Sequence, residues 1–114
     1  MSSFSEDRAI FRARVQEWND RYRQMPFATL DSMASSNMME ALMQGPGEKI
    51  SAGTRMASIG AIVLRCKEGH IQVVIQGFLK HRFFPGSAVM VHGFYKNADE
   101  SIDPMPHSKL MEFY

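Results

Sequence analysis

Apolar residues near the start of the chain recur at a helical step. Phe11, Val15, Trp18, Tyr22 and Met25 are spaced by four, three, four and three positions, so all five share one stripe. Arg8, Arg12, Arg14, Arg21 and Arg23 fall largely off that stripe. Ser3 followed by Glu6 has the capping-box spacing, and Asp7 places an anion where the helix dipole favours one. Pro26 disfavours the helical conformation at Met25. The pattern predicts a helix over about 5–25. A second helix is predicted from Asp31 to Gln44, with Met33, Met38, Met39, Ala41, Leu42 and Met43 as its apolar content. Gly45-Pro46-Gly47 cannot continue it.

Beyond that break the period falls from near 3.6 to near 2. Met56–Cys66 is rich in Ile, Val and Ala, with Gly60 inside it where a bulge or bend is expected. Lys67-Glu68-Gly69 has the form of a hairpin connection. Ile71, Val73 and Ile75 alternate with Gln72, Val74 and Gln76, and Gly77 is expected to end that strand. Phe78–Phe84 is then an aromatic and basic connection closed by Pro85-Gly86, and Ser87–Tyr95 is a further strand. The stretch 97–107 is expected to be loop, and Leu110–Tyr114 a last short strand. Hairpin-linked strands imply an antiparallel meander, and curling into a small barrel removes its edges. The expected fold is α+β: a single domain over 1–114 with two N-terminal helices (1–47) followed by a small antiparallel β-barrel (48–114), OB-like or alternatively Sm-like.

Charge is unevenly distributed along this plan. The total is +1, but residues 49–97 carry seven Lys and Arg against the single acid Glu68, a balance of +6. Residues 1–48 sum to −2 and residues 98–114 to −3. A positive block of this kind either attracts an anionic partner or is neutralised by the acidic ends folding back on it.

Two stretches resemble small single-domain OB-fold proteins, such as the small subunits of replication protein A and of telomeric end-binding complexes. Arg55-Met56-Ala57-Ser58-Ile59-Gly60-Ala61-Ile62-Val63 is similar to a long first strand bent at a glycine, and Pro85-Gly86-Ser87-Ala88-Val89-Met90-Val91-His92-Gly93 to a later strand. The resemblance implies a barrel that grips single-stranded nucleic acid, and it places Arg65, Lys67 and His70 in a loop that contacts oligonucleotides.

Cations that track phosphates, interleaved with flat side chains that stack on bases, are the chemistry of single-stranded recognition. Lys80, His81, Arg82, Phe83 and Phe84 supply both in one run, with Tyr95 and Lys96 closing the next strand and Arg55 opening the first. The expected nucleic-acid contacts are therefore Arg55, Arg65, Lys67, His70, Lys80, His81, Arg82, Phe83, Tyr95 and Lys96. The competing reading is an interaction or scaffold subunit that meets a protein partner, or its own copy, through the helices. Its interface would be Phe11, Val15, Trp18, Tyr22, Met38, Met39 and Leu42, since an isolated amphipathic helix must bury its stripe somewhere.

No catalytic pattern emerges, so no enzymatic activity, cofactor or metal is expected. The four histidines form no HxxxH or HExxH pair, Asp99, Glu100 and Asp103 lack the pattern of a calcium loop, and Gly45-Pro46-Gly47 has no Lys-Ser pair after it. Cys66 is expected to be a buried structural thiol. A single cysteine, no secretory h-region and no long apolar run suggest a soluble, reduced, intracellular protein, nuclear or cytoplasmic, without a membrane.

Overall fold

The computed structural model describes residues 3–44, 47–81 and 86–114. Helix α1 spans Phe4–Gln24, and the Glu6 N–H donates to Ser3 Oγ at 3.1 Å, the cap that the spacing implies. Met25 is extended ahead of Pro26 and ends the helix. The single second helix expected over 31–44 is instead two short ones, α2 (Phe27–Met33) and α3 (Met38–Gln44). They are parted because Ser35 is drawn onto the sheet: its N–H donates to Val63 O and its carbonyl accepts from Arg65 N–H, both at 3.0 Å. Asn37 then restarts the helix by accepting from Glu40 N–H at 2.9 Å.

The strands are β1 (Gly47–Ala52), β2 (Arg55–Arg65), β3 (Ile71–Lys80), β4 (Ser87–Lys96) and β5 (Ile102–Pro104). They form one antiparallel sheet in sequence order, so β1 and β5 are opposite edges that never meet. The sheet is open, which corrects the expected OB-like or Sm-like barrel. A three-residue β5 offers too short an edge to pair with β1. Gly60 makes no bulge either, since register passes evenly from Gly47 through Gly60 to Gln76. The terminal segment expected as a strand is a helical turn, α4 (His107–Leu110), running into a 3-10 turn at Met111–Phe113. Pro106 sits just ahead of it, where its missing N–H costs nothing.

Alternation along β2, β3 and β4 divides the sheet into two faces. One face carries Ile59, Ala61, Val63, Ile71, Val73, Ile75, Leu79 and Phe94, and α1 lays Phe11, Val15, Trp18 and Tyr22 onto it. Gly77 makes the approach possible. A Cβ there would stand 2.7 Å from Val15 Cγ2 and 2.8 Å from Phe11 Cζ. The glycine therefore does not end β3 but admits the helix, and the strand continues to Lys80. On the other face Ile62, Val74 and Val91 are covered by Ala41 of α3 and by Met105 and Phe113 of the C-terminal segment. Among the described residues no helix is long and apolar enough to cross a membrane.

Three polar contacts fasten the helices, the first two of them buried. Asp7 is fully buried and pairs with Arg55, while Thr54 Oγ1 donates to it at 3.0 Å. Lys96 Nζ donates to Arg23 O at 3.3 Å, a cation at the C-terminal end of α1. Glu100, in the left-handed region at φ 73°, accepts from the Phe27 N–H at 3.0 Å and so caps α2.

Two expectations about stability follow from these contacts. Gly77→Ala should destabilise the protein by about 1–3 kcal/mol in a denaturant melt, because the added methyl overpacks the α1 interface. Acid should weaken the fold in two ranges. Burial lowers the His92 imidazole below its ordinary 6.5, Asp20 pulling the other way, so stability declines as pH falls below that value. Burial alone would raise the Asp7 carboxyl, but hydrogen bonds from Arg55 and Thr54 and the guanidinium charge hold it below its ordinary 3.8. Its stabilisation is present above 3.8 and is lost as pH falls through the lower folded value. In thermal melts over this range, His92→Gln should lack the first decline and Asp7→Asn the second.

Candidate functional site

The residues expected to contact nucleic acid separate into two groups at opposite ends of the sheet. Arg65, Lys67, His70, Tyr95 and Lys96 lie by the β2–β3 hairpin, and Arg55, Lys80 and His81 at the other end. Antiparallel β3 spans the distance between them, roughly 30 Å for a strand of this length. Arg82 and Phe83, with Phe84, lie outside the described residues.

Most of the cations are already engaged within the chain. Arg55, 11% exposed, holds buried Asp7 and lies over the Phe4 ring at 5.0 Å. Arg65 Nε donates to Asp31 Oδ1 at 2.8 Å and Nη2 donates to Asp31 O at the same distance. Lys96 is 5% exposed, facing Glu100 at 3.7 Å in addition to Arg23 O. His81 stacks on Phe4 at 5.5 Å, and His70 packs edge-on to Tyr95 at 4.9 Å. Burial raises the Tyr95 hydroxyl, as expected for a ring packed on the second core. Arg55, Arg65 and Lys96 therefore already have counter-charges within the chain, Arg55 and Lys96 as buried side chains and Arg65 as an exposed one. Their counter-charges come from Asp7, Asp31 and Glu100, in the two acidic ends of the sequence. Lys67 is exposed in the β2–β3 turn, and Lys80 is exposed at the end of β3.

The residues of the expected protein interface divide between buried and exposed. Phe11, Val15, Trp18 and Tyr22 are each at most 4% exposed, because α1 buries its stripe against the chain's own sheet. Met38 packs on the second core, whereas Met39 and Leu42 face solvent together with Met43.

What remains is the uncovered half of the second sheet face. The α3 helix and the C-terminal turn shield Ile62, Val74 and Val91, and beyond them no described residue covers the face. There Lys49, Ser58, Phe78 and Val89 form one cross-strand row over β1 to β4. Along β3, Gln76, Phe78 and Lys80 are successive outward positions. Phe78 is 36% exposed and Met56 55%. Lys49, Met56, Ser58, Phe78, Lys80 and Ser87 border a recess of about 440 Å³, and no carboxylate lines it among the described residues. A second recess of about 400 Å³ shares Lys49, Ser58 and Phe78 and runs to Leu42 and Gln76. Lys49, Ser58, Gln76 and Phe78 are not among the residues that the sequence pattern singles out. The signal is present nonetheless, since Phe78 and Lys80 continue the outward alternation of Gln76 once Gly77 is read as an inward position. Among the described residues no three His, Cys, Asp or Glu side chains gather as metal ligands. Cys66 is a free, half-buried thiol, raised by burial and by Glu68.

No protein-family model, curated protein or solved structure matches the chain, which leaves the site to be read from its own chemistry.

Arg65→Ala tests the division between engaged and free cations. It removes an exposed pair, so a denaturant melt should show a loss below about 1 kcal/mol.

Proposed function

We propose that the open sheet face is a non-catalytic binding surface for single-stranded nucleic acid. The observation that carries this reading is the recess around Phe78, with a lysine on either side, an exposed aromatic floor and no carboxylate among its described lining residues. An aromatic ring accepts any base by stacking, worth ~1–3 kcal/mol per base, and lysines answer phosphate without demanding sequence. The strands fix the backbone positions of these groups, so the spacing of ring and lysines is set before a ligand docks. A duplex is disfavoured, because its bases are stacked on one another and cannot reach a ring lying in a sheet.

Fluorescence anisotropy with a labelled single-stranded oligonucleotide tests the proposal. Binding should weaken with salt, and Lys49→Ala with Lys80→Ala should flatten the salt dependence by about 0.7 in log–log slope for each phosphate no longer neutralised. Phe78→Ala should cost ~1–3 kcal/mol of affinity with the fold intact. Wild-type protein that gives no salt-sensitive signal would refute the reading.

A second reading is favoured by the outward face of α3, where Met39 is 73%, Leu42 58% and Met43 80% exposed. Methionine-rich surfaces adapt to protein partners. On that reading the chain is an interaction subunit, and sedimentation should show self-association that Met39→Lys with Met43→Lys abolishes.

A further inference from the structure

Gln76 stands beside Phe78 on the open face, one outward position further along β3. Its side-chain amide has a fixed orientation, because Nε2 donates to the backbone carbonyl of Phe113 at 2.6 Å. Turning the amide over would set its oxygen against that carbonyl, two acceptors facing each other. The 3-10 turn at Met111–Phe113 therefore decides which end of the amide a ligand meets. Oε1 accepts no hydrogen bond from any described residue, and Gln76 borders both the recess of about 400 Å³, whose rim includes Glu48, and an adjoining one of about 350 Å³, whose rim includes Glu112.

We infer that Gln76 Oε1 reads the amino group of a base lying next to the one stacked on Phe78, so that the groove favours cytosine over uracil. This rests on the nucleic-acid reading above. Cytosine carries an N4 amino donor at the ring position where uracil carries the O4 acceptor. The two rings are alike in size and stacking area, so Phe78, Lys49 and Lys80 do not distinguish them. A carbonyl fixed in the groove does: it accepts from cytosine N4, whereas uracil O4 would face it with no proton between them. Adenine, with its N6 amino group, falls on the favoured side by the same logic. The device needs no charged reader, and its specificity comes from the C-terminal turn that holds the amide.

The test uses full-length protein with oligocytidine and oligouridine of equal length, measured by anisotropy at one salt concentration. Oligocytidine should bind more tightly by about threefold to tenfold, the range of one net hydrogen bond. Gln76→Leu, which keeps the side-chain bulk, should bring the two affinities together while leaving their salt dependence unchanged. Equal wild-type affinity for both oligomers overturns base reading but leaves nucleic-acid binding intact. Absence of binding to either overturns the nucleic-acid reading itself. The wild-type comparison decides the matter even if the variant fails to fold.

Discussion

One amphipathic helix against one face of an open sheet governs what else this chain can do. An α-helix of 21 residues is about 31 Å long and roughly 10 Å wide, while five strands span roughly 20 Å. The helix thus matches the long central strands in length but not the sheet in width. Its approach is close at Gly77, where even a methyl group would strike Val15 and Phe11. That fit buries Phe11, Val15, Trp18 and Tyr22 against the chain's own sheet. Among the described residues, α3 and the C-terminal turn cover only part of the opposite face. An exposed aromatic in mid-sheet is the consequence.

The charge pattern illustrates why a linear balance misleads. A +6 block along the sequence implies a strong local field only if its counter-charges stay distant. Here α1 returns Asp7 to Arg55, the α2 segment brings Asp31 to Arg65, and the turn after β4 presents Glu100 to Lys96. These pairs serve different ends. The buried Asp7–Arg55 contact fastens the start of α1, and removing one partner would strand a charge in the core. Lys96 and Glu100 close the ends of two helices. The exposed Arg65–Asp31 pair is energetically minor.

Local elements are more legible in the sequence than their closure. Helix α1, its Ser3 cap, the β2–β3 turn with Gly69 at positive φ, and the strand starting at Ser87 follow from periodicity and turn chemistry. Barrel closure depends on which edges meet, a long-range matter that a glycine-valine pattern does not encode. Ser35 shows the same limit from another side. Ser35, Ser36 and Asn37 are weak helix formers between two apolar helical runs, and the free edge of β2 beyond Gly60, where β1 ends, captures the Ser35 backbone and splits the helix. Of the candidate surface, Lys80 is legible, whereas Phe78 falls into a connection as long as Gly77 is read as a terminator. Gly77 is instead a glycine of close approach, a role visible only once the helix lies across it.

The placement of Phe78 and Gln76 on β3 has a physical logic. β3 is hydrogen-bonded on both sides along nearly its whole length, so it is the least mobile platform available. Groups mounted there meet a ligand with their geometry already set. On the proposed nucleic-acid reading, two lysines neutralise few phosphates, so electrostatics alone would supply only modest affinity, and a loosely held ring would forfeit much of what stacking adds. Rigidity compensates for the small number of contacts. The same reasoning explains why the C-terminal turn matters beyond covering Val74 and Val91: by accepting from Gln76 Nε2 at 2.6 Å, Phe113 O converts a freely rotating amide into a fixed acceptor beside the exposed ring.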